Sequence, residues 1–267
     1  MIVAKEPAER CVLLLGGLDP SGGAGLTADA TVVALHGAQP LPVPLCLTVQ
    51  GLGGFRRLVP VEGSVWRAAL AAVLDDGPVH AIKLGLLGDA ALARELADLL
   101  TPIADATPLV LDPVLSATTG GLDAPAELAH VYRERLLPLA AVFTPNLPEL
   151  AAISGGRASV AIQHGARAVL AKGGHGGGPL SEDLLQLPGA HFAFRRERLP
   201  VGRVRGTGCA LASAIASGLA AGLDVPLACQ RAGDWLHALL QTLGPAPDTA
   251  PPRLLPWAAV RPRSLRD

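Results

Sequence analysis

The residues best suited to chemistry lie where short apolar runs stop: Gly16-Gly17-Leu18-Asp19-Pro20-Ser21-Gly22-Gly23-Ala24-Gly25, Thr48-Val49-Gln50, Asp112-Pro113-Val114, Thr144-Pro145-Asn146-Leu147-Pro148-Glu149 and Lys172-Gly173-Gly174-His175. A sixth segment, Gly206-Thr207-Gly208-Cys209, opens an alanine-rich run instead of closing an apolar one. Its glycines leave backbone N–H groups bare at a helix start, where the positive end of the helix dipole favours an anion, so a phosphate site is one reading. A tight turn before a buried helix is the other. Cys209 bears on the choice, because a thiol in the first turn has its thiolate stabilised by the same dipole, and Arg205 adds positive charge. A lowered thiol pKa and a role as base for a substrate hydroxyl are therefore expected. Cys11, Cys46 and Cys229 read as buried hydrophobes.

These segments need a scaffold, and the pattern around them supplies one. Apolar runs at 12–17, 43–48, 81–86, 109–111, 141–143 and 168–171 predict strands, and amphipathic or alanine-rich runs at 25–35, 65–74, 90–100, 126–137, 208–221 and 226–243 predict helices. Two further runs, 184–187 and 191–194, predict a hairpin. No element is predicted in the proline-rich tail from Gly244, and neither a repeat nor a linker divides the chain, so one domain over 1–267 is expected. Strands alternating with helices imply an α/β fold, a mainly parallel sheet with helices on both faces. Such sheets bind ligands in the crevice outside the carboxyl ends of their strands, where the polar segments fall.

Composition excludes several classes of function. Of 267 residues half are apolar and 17% charged, with a net charge of -1, so a nucleic-acid partner is not expected. Apolar stretches fall short of the roughly 20 residues that cross a bilayer. Residues 1–10 lack the pattern of a secretory signal, so no membrane partner and a cytoplasmic location are expected. Four widely spaced cysteines show neither CxxC nor a zinc pattern and read as reduced thiols. GxxxxGK[ST], strict GxGxxG, HExxH and GxSxG are absent.

Taken in order, the segments resemble the hydroxymethylpyrimidine/phosphomethylpyrimidine kinases of thiamine biosynthesis over about residues 12–223. GxDPSGGAG with a following Ala-Asp appears as Gly17 to Gly25 with Ala28-Asp29, the glutamine after the second strand as Gln50, and KIGML as Lys83-Leu84-Gly85-Leu86-Leu87. DPV appears as Asp112-Pro113-Val114, while TPNLPE, KGGH and GTGC are matched to the letter at Thr144–Glu149, Lys172–His175 and Gly206–Cys209. The resemblance implies a ribokinase-like three-layer fold that phosphorylates 4-amino-5-hydroxymethyl-2-methylpyrimidine and then its monophosphate with ATP and Mg2+. It also implies a homodimer.

By the same resemblance Gln50 would face the aminopyrimidine edge, with Gly17, Ala24, Leu86 and Val114 shaping the pocket and Asp29 as a further pyrimidine-contacting carboxylate. Asp112 and Glu149 would hold magnesium, directly or through waters. Lys172, Asn146 and Arg205 would face the nucleotide, His175 would be a loop residue near it, and the N–H groups of Gly206, Thr207, Gly208 and Cys209 would receive charge on the transferred group. Cys209 would take the hydroxymethyl proton. Asn146 and Glu149 read equally as a helix N-cap with a charged first turn. The chain departs from the family where Gly202-Arg203-Val204-Arg205 replaces a lysine-asparagine pair and a histidine, and where Leu18 replaces a threonine. A helix between 154 and 168 looks shortened, and a glycine-rich nucleotide segment is not recognisable around 244–252. A pyridoxal-type kinase and a weakly active ligand-binding paralogue are the alternatives, and the Asp-Pro-Ser-Gly-Gly-Ala-Gly loop with Gln50 speaks against the pyridoxal kinase.

Overall fold

The computed structural model describes residues 10–115, 126–174 and 178–262. Strands β1 (Cys11–Leu18), β2 (Gln39–Gly51), β3 (Gly54–Pro60), β4 (Ala81–Leu84), β5 (Leu109–Leu111), β6 (Ala140–Phe143), β7 (Val169–Ala171), β8 (Leu180–Leu187) and β9 (Ala190–Glu197) form one sheet in the order β3-β2-β1-β4-β5-β6-β7-β8-β9. The six strands from β2 to β7 in that order are parallel, whereas β3 at one edge and β8 and β9 at the other are antiparallel. The chain passes from β1 to β2 on one side and then crosses to β4 on the other. That crossover makes the gap between β1 and β4 the topological switch point, where an open sheet leaves room for a ligand.

Both faces are covered. Helices α1 (Gly25–Leu35), α7 (Thr207–Ala220) and α8 (Val225–Gln241) pack on one, and α2 (Gly63–Asp75), α3 (Ala90–Leu100), α4 (Ala126–Val131), α5 (Leu147–Ser154) and α6 (Ala158–Gln163) on the other. Strand periodicity of two splits the core accordingly. In β1, Leu13 and Leu15 join Trp66 and Leu96, while Val12 and Leu14 join Val32, Ile215 and Leu239. In β4, Ile82 and Leu84 belong to the first cluster and Ala81 to the second. The same alternation puts Lys83 on the α1/α7 face, a charge where an apolar side chain would ordinarily sit.

The observed elements depart from expectation at identifiable places. Strand β3 was not predicted; it is an edge strand carrying Arg56, Arg57 and Pro60, residues that edges tolerate and that erase a strand signal. Helix α5 was read only through the cap pattern of Asn146 and Glu149, since Pro148 lies in its first turn, where proline is accepted, and the short helix read between 154 and 168 is α6, six residues long. The run 126–137 is not one α-helix: α4 passes into a π-helical turn at Tyr132–Leu136 and a 3-10 turn at Leu137–Leu139, which contains Pro138.

The tail from Gly244 packs along residues 200–205: Ala246 N–H donates to the Pro200 carbonyl, Arg253 N–H to the Arg203 carbonyl and Arg205 N–H to the Arg253 carbonyl. Leu255 is buried with the α7/α8 cluster, and Trp257 packs against it. Among the described residues no helix is long and apolar enough to cross a membrane. His175 lies outside the described residues.

Candidate active site

Where β1, β2, β4, β5, β6 and β7 end, a cavity of about 870 Å³ opens, and every residue named from the sequence as a site residue borders it. That volume lies within the range of small-ligand sites. Two helices begin at its wall. Helix α7 has Gly206 as its N-cap in the left-handed conformation (φ 76°), with no side-chain cap and no acidic residue in its first turn. A Cβ on Gly206 would run into the Gly23 carbonyl oxygen, so glycine is required both by conformation and by the close approach of the 19–25 loop. Helix α1 also lacks a side-chain cap, on Ala24, and starts at Gly25, whose φ is 56°. Both helices thus present uncapped N–H groups to the cavity, the arrangement that receives anions. Helix α7 lies deep against the sheet because it is built from small residues: Ala210, Ala212, Ser213, Ala214 and Ala216 are all buried.

Cys209 stands in the first turn of α7 and accepts a hydrogen bond from the Gly25 N–H. The expected lowering of its pKa is not found. Burial pushes the thiol up to about 11, and the nearby carboxylates of Asp29 and Asp112 push the same way, against Lys83 and the Gly25 N–H. Desolvation outweighs the dipole here, and Arg205 is not among its partners. At rest Cys209 is a thiol.

Two lysine–aspartate pairs frame the centre. Lys172, just past β7, donates to Asp112 Oδ1 at 2.8 Å, and Thr144 Oγ1 lies 3.4 Å from the same oxygen. Burial works against the Asp112 carboxylate, but Lys172 and Lys83 hold it below its ordinary value. Glu149 sits at the third position of α5 and closes a capping box: Asn146 Oδ1 accepts from the Glu149 N–H at 2.9 Å and Glu149 Oε2 accepts from the Asn146 N–H at 2.8 Å. The cap reading thus holds, with one Glu149 oxygen committed to the helix and Asn146 left with only its amide nitrogen for a ligand. Burial, with Asp112 as a like charge, pushes Glu149 up to about 7 against the pull of Lys172. Among the described residues no three His, Cys, Asp or Glu side chains are grouped to hold a metal alone. The donor set of two hard carboxylates nevertheless fits magnesium, which is bound by one or two carboxylates together with waters and substrate phosphates.

The second pair is deeper. Lys83 Nζ donates to Asp29 Oδ2 at 2.7 Å, Ser213 Oγ donates to Asp29 Oδ1 at 2.8 Å, and both charged side chains are 1% exposed. With both oxygens accepting, Asp29 is held as the carboxylate partner of a lysinium, although burial pushes its pKa up. Lys83 is held above its ordinary value: burial opposes its charge, but Asp29, Cys209 and Asp112 outweigh it. Removing either partner would leave an uncompensated buried charge, a loss of about 3–5 kcal/mol. Asp29 borders the cavity, and its hydrogen bonds tie α1, β4 and α7 together. Lys83 is the site residue that the motif reading passed over, and a lysine inside the run Ala81-Ile82-Lys83-Leu84 was the available signal.

At the other end of the cavity Arg205 departs from its expected place beside Lys172 and Asn146. Its guanidinium donates to Gln50 Oε1 at 2.9 Å, to Asp19 Oδ2 at 3.3 Å and to the Gly51 carbonyl. Those partners lie on the side of the cavity expected to hold the pyrimidine. Arg203 is exposed and reaches the Ala250 carbonyl. Gly17 sits against Leu86 and Cys46, where a Cβ would come within 3.0 Å of both side chains.

The chain is similar to known proteins in sequence and in fold. A family model described as phosphomethylpyrimidine kinase matches residues 19–248. A hydroxymethylpyrimidine/phosphomethylpyrimidine kinase of Streptomyces coelicolor is 36% identical over 235 residues, covering 84% of this chain and 86% of that protein. Among solved structures, a phosphomethylpyrimidine kinase from Clostridium difficile is similar with a TM-score of 0.74 at 27% identity, over 85% of this chain and 98% of its own. An ADP complex of Bacillus subtilis pyridoxal kinase gives 0.78 at 25% identity, over 90% of this chain and 98% of its own.

Proposed function

The chain belongs to the phosphomethylpyrimidine kinase family and has its ribokinase-like three-layer fold, and from that premise we propose that it transfers phosphate from ATP to 4-amino-5-hydroxymethyl-2-methylpyrimidine and to the resulting monophosphate in thiamine biosynthesis. The observation that carries this reading is the single cavity in which the uncapped start of α7 meets the Asp112–Lys172 pair at one end and Gln50 with Leu86 at the other. Phosphoryl transfer asks a protein mainly for alignment and for neutralisation of spreading charge. The N–H groups of Gly206 to Cys209 receive the equatorial oxygens of the transferred group. Lys172 faces the nucleotide phosphates. Asp112 and Glu149 would hold Mg2+, which when bound neutralises phosphate charge. Gln50, Gly17, Ala24, Leu86 and Val114 hold the ring.

Cys209 takes the hydroxymethyl proton. Because it rests as a thiol, only the minority thiolate does so. A cytoplasmic location and a homodimer belong to the same proposal, the first supported by four free cysteines and the second by family resemblance.

ADP release measured with hydroxymethylpyrimidine, its monophosphate and pyridoxal tests the reading. Turnover of both pyrimidines is expected. The pyridoxal reading rests on structural neighbours at about 25% identity, against 36% over most of the chain for the pyrimidine kinase, and turnover of pyridoxal alone would establish it instead. Binding without ADP release would mark a ligand-binding paralogue.

A further inference from the structure

Arg205 stands in the segment where this chain leaves the pattern of its family, and its surroundings show a job done by neither a phosphate ligand nor a solvent-facing charge. The side chain is 6% exposed. It joins three pieces of the chain: Gln50 and Gly51 at the end of β2, Asp19 in the loop after β1, and, through its own backbone N–H, the carbonyl of Arg253 at 2.9 Å. Asp19 is 1% exposed, and its second oxygen is occupied by the N–H and hydroxyl of Ser21 at 2.8 and 2.7 Å. The guanidinium therefore has a fixed counter-charge and a fixed direction.

A consequence follows for Gln50. A guanidinium offers only donors, so the atom of the Gln50 amide that faces it must be the oxygen. The amide nitrogen is turned away from Arg205, so one lone pair of the oxygen is spent on the guanidinium and the direction of the two N–H donors is fixed. Without Arg205 the amide could turn either way and meet a donor or an acceptor equally well. With it, the choice is made before the ligand arrives.

We propose that Arg205 is a positioning and specificity-determining residue that locks the Gln50 amide oxygen, so that the heteroaromatic substrate is taken with a hydrogen-bond acceptor, such as a ring nitrogen, against the Gln50 N–H. This rests on the reading that the Gln50 end of the cavity holds the ring of the substrate alcohol. Asp19 and the Gly51 carbonyl are the supports that keep the guanidinium from following the ligand.

Gln50→Glu decides the orientation, because it keeps the shape and the acceptor atoms of residue 50 and removes its donors. Calorimetric titration at pH 8, with hydroxymethylpyrimidine and separately with pyridoxal, first establishes which alcohol the wild type binds. For that ligand, Gln50→Glu is expected to raise Kd by about 10-fold or more, since it takes away a buried hydrogen bond. Binding as tight as wild type would overturn the proposal.

The role of Arg205 is read from the same substitution in two further backgrounds. In Arg205→Met the effect of Gln50→Glu is expected to shrink to about 3-fold or less, since a free amide no longer has a fixed donor to lose, and the Arg205→Met change alone should raise KM more than it lowers kcat. In Arg205→Lys, which still donates to the Gln50 oxygen, the full effect should return. An equal effect in all backgrounds would show that Arg205 does not set the amide. A wild type that binds pyridoxal alone ends the pyrimidine reading but leaves this test intact. Binding of neither alcohol removes the ring from this end of the cavity and the proposal with it.

Discussion

Cys209 shows how two local effects of opposite sign are ranked. The start of α7 and the Gly25 N–H favour the thiolate, yet burial outweighs them and places the thiol at about 11. Sequence reasoning could see the helix start but not how deeply α7 sinks into the sheet, which is where the larger effect originates. The sign of the pH dependence follows. A group that works as a base and titrates at about 11 gains active form as pH rises, so kcat should climb from neutrality into the alkaline range. Cys209→Ala should flatten that climb and lower kcat by about 10²-fold, the usual size of a proton-transfer contribution, with little change in KM. Steady-state rates from pH 6 to 9.5 for both proteins decide it; a flat wild-type profile, or a variant as fast as wild type, removes Cys209 as proton acceptor while leaving the backbone phosphate site in place. Lys83 was harder to foresee. Motif matching registers it as one letter of a pattern, whereas its partner Asp29 lies 54 positions away and only the α1–β4–α7 packing brings them together.

At the scale of elements, periodicity located most of the architecture, and its failures have physical causes. The observed bounds of α1, α3 and β5 coincide with those read from apolar spacing, because each is buried on at least one full face. The two edges differ in legibility: the β8–β9 hairpin was read from two apolar runs, whereas β3 carries arginines and a proline that erase its signal. Helix α5 was legible only through its cap, since a segment that begins Pro-Asn-Leu-Pro-Glu carries no apolar period and only the Asn146–Glu149 spacing signals the helix start. The element that matters most is α7, and its start makes a sharp prediction. Gly206→Ala adds a Cβ to a left-handed residue, a strain of about 1–2 kcal/mol, and drives it into the Gly23 carbonyl. The expected result is a lower Tm and a kcat reduced by about 10²-fold, as when one preorganised N–H donor is lost. Gly208→Ala is the contrast. There the new Cβ would meet the Lys172 ammonium at 3.3 Å, the movable end of a flexible side chain, so Tm should stay near wild type while KM for ATP rises. Equal melting of the two variants would contradict the assignment of Gly206 as the strained position.

Across the whole molecule, the site depends on a segment that sequence left without structure. The strand ends supply carboxylates, lysines and Gln50, but the residues leading into α7 have no strand of their own to hold them. The tail does so. Arg253 donates from its guanidinium to the carbonyls of Leu243 at 2.8 Å, Gly244 at 2.9 Å and Val201, while its backbone pairs with Arg203 and Arg205 on either side of Val204. One residue therefore fixes the end of α8, the approach to Gly206 and the backbone of Arg205. Proline-rich composition concealed this, because the tail pairs irregularly and carries no period. Arg253→Met removes the guanidinium and leaves three carbonyls to find other donors, which should lower stability by about 2–3 kcal/mol. The backbone pairing has no side-chain requirement and should partly survive, so the protein should fold, with a Tm several degrees lower. The loosened backbone should then free Arg205 and Gln50, raising KM for the pyrimidine more than KM for ATP. Thermal unfolding and the two KM values measured on one preparation test both halves. A fall in Tm without a change in either KM would show that the tail supports the fold alone, and that the geometry around Arg205 is held by Asp19 and the end of β2 without it.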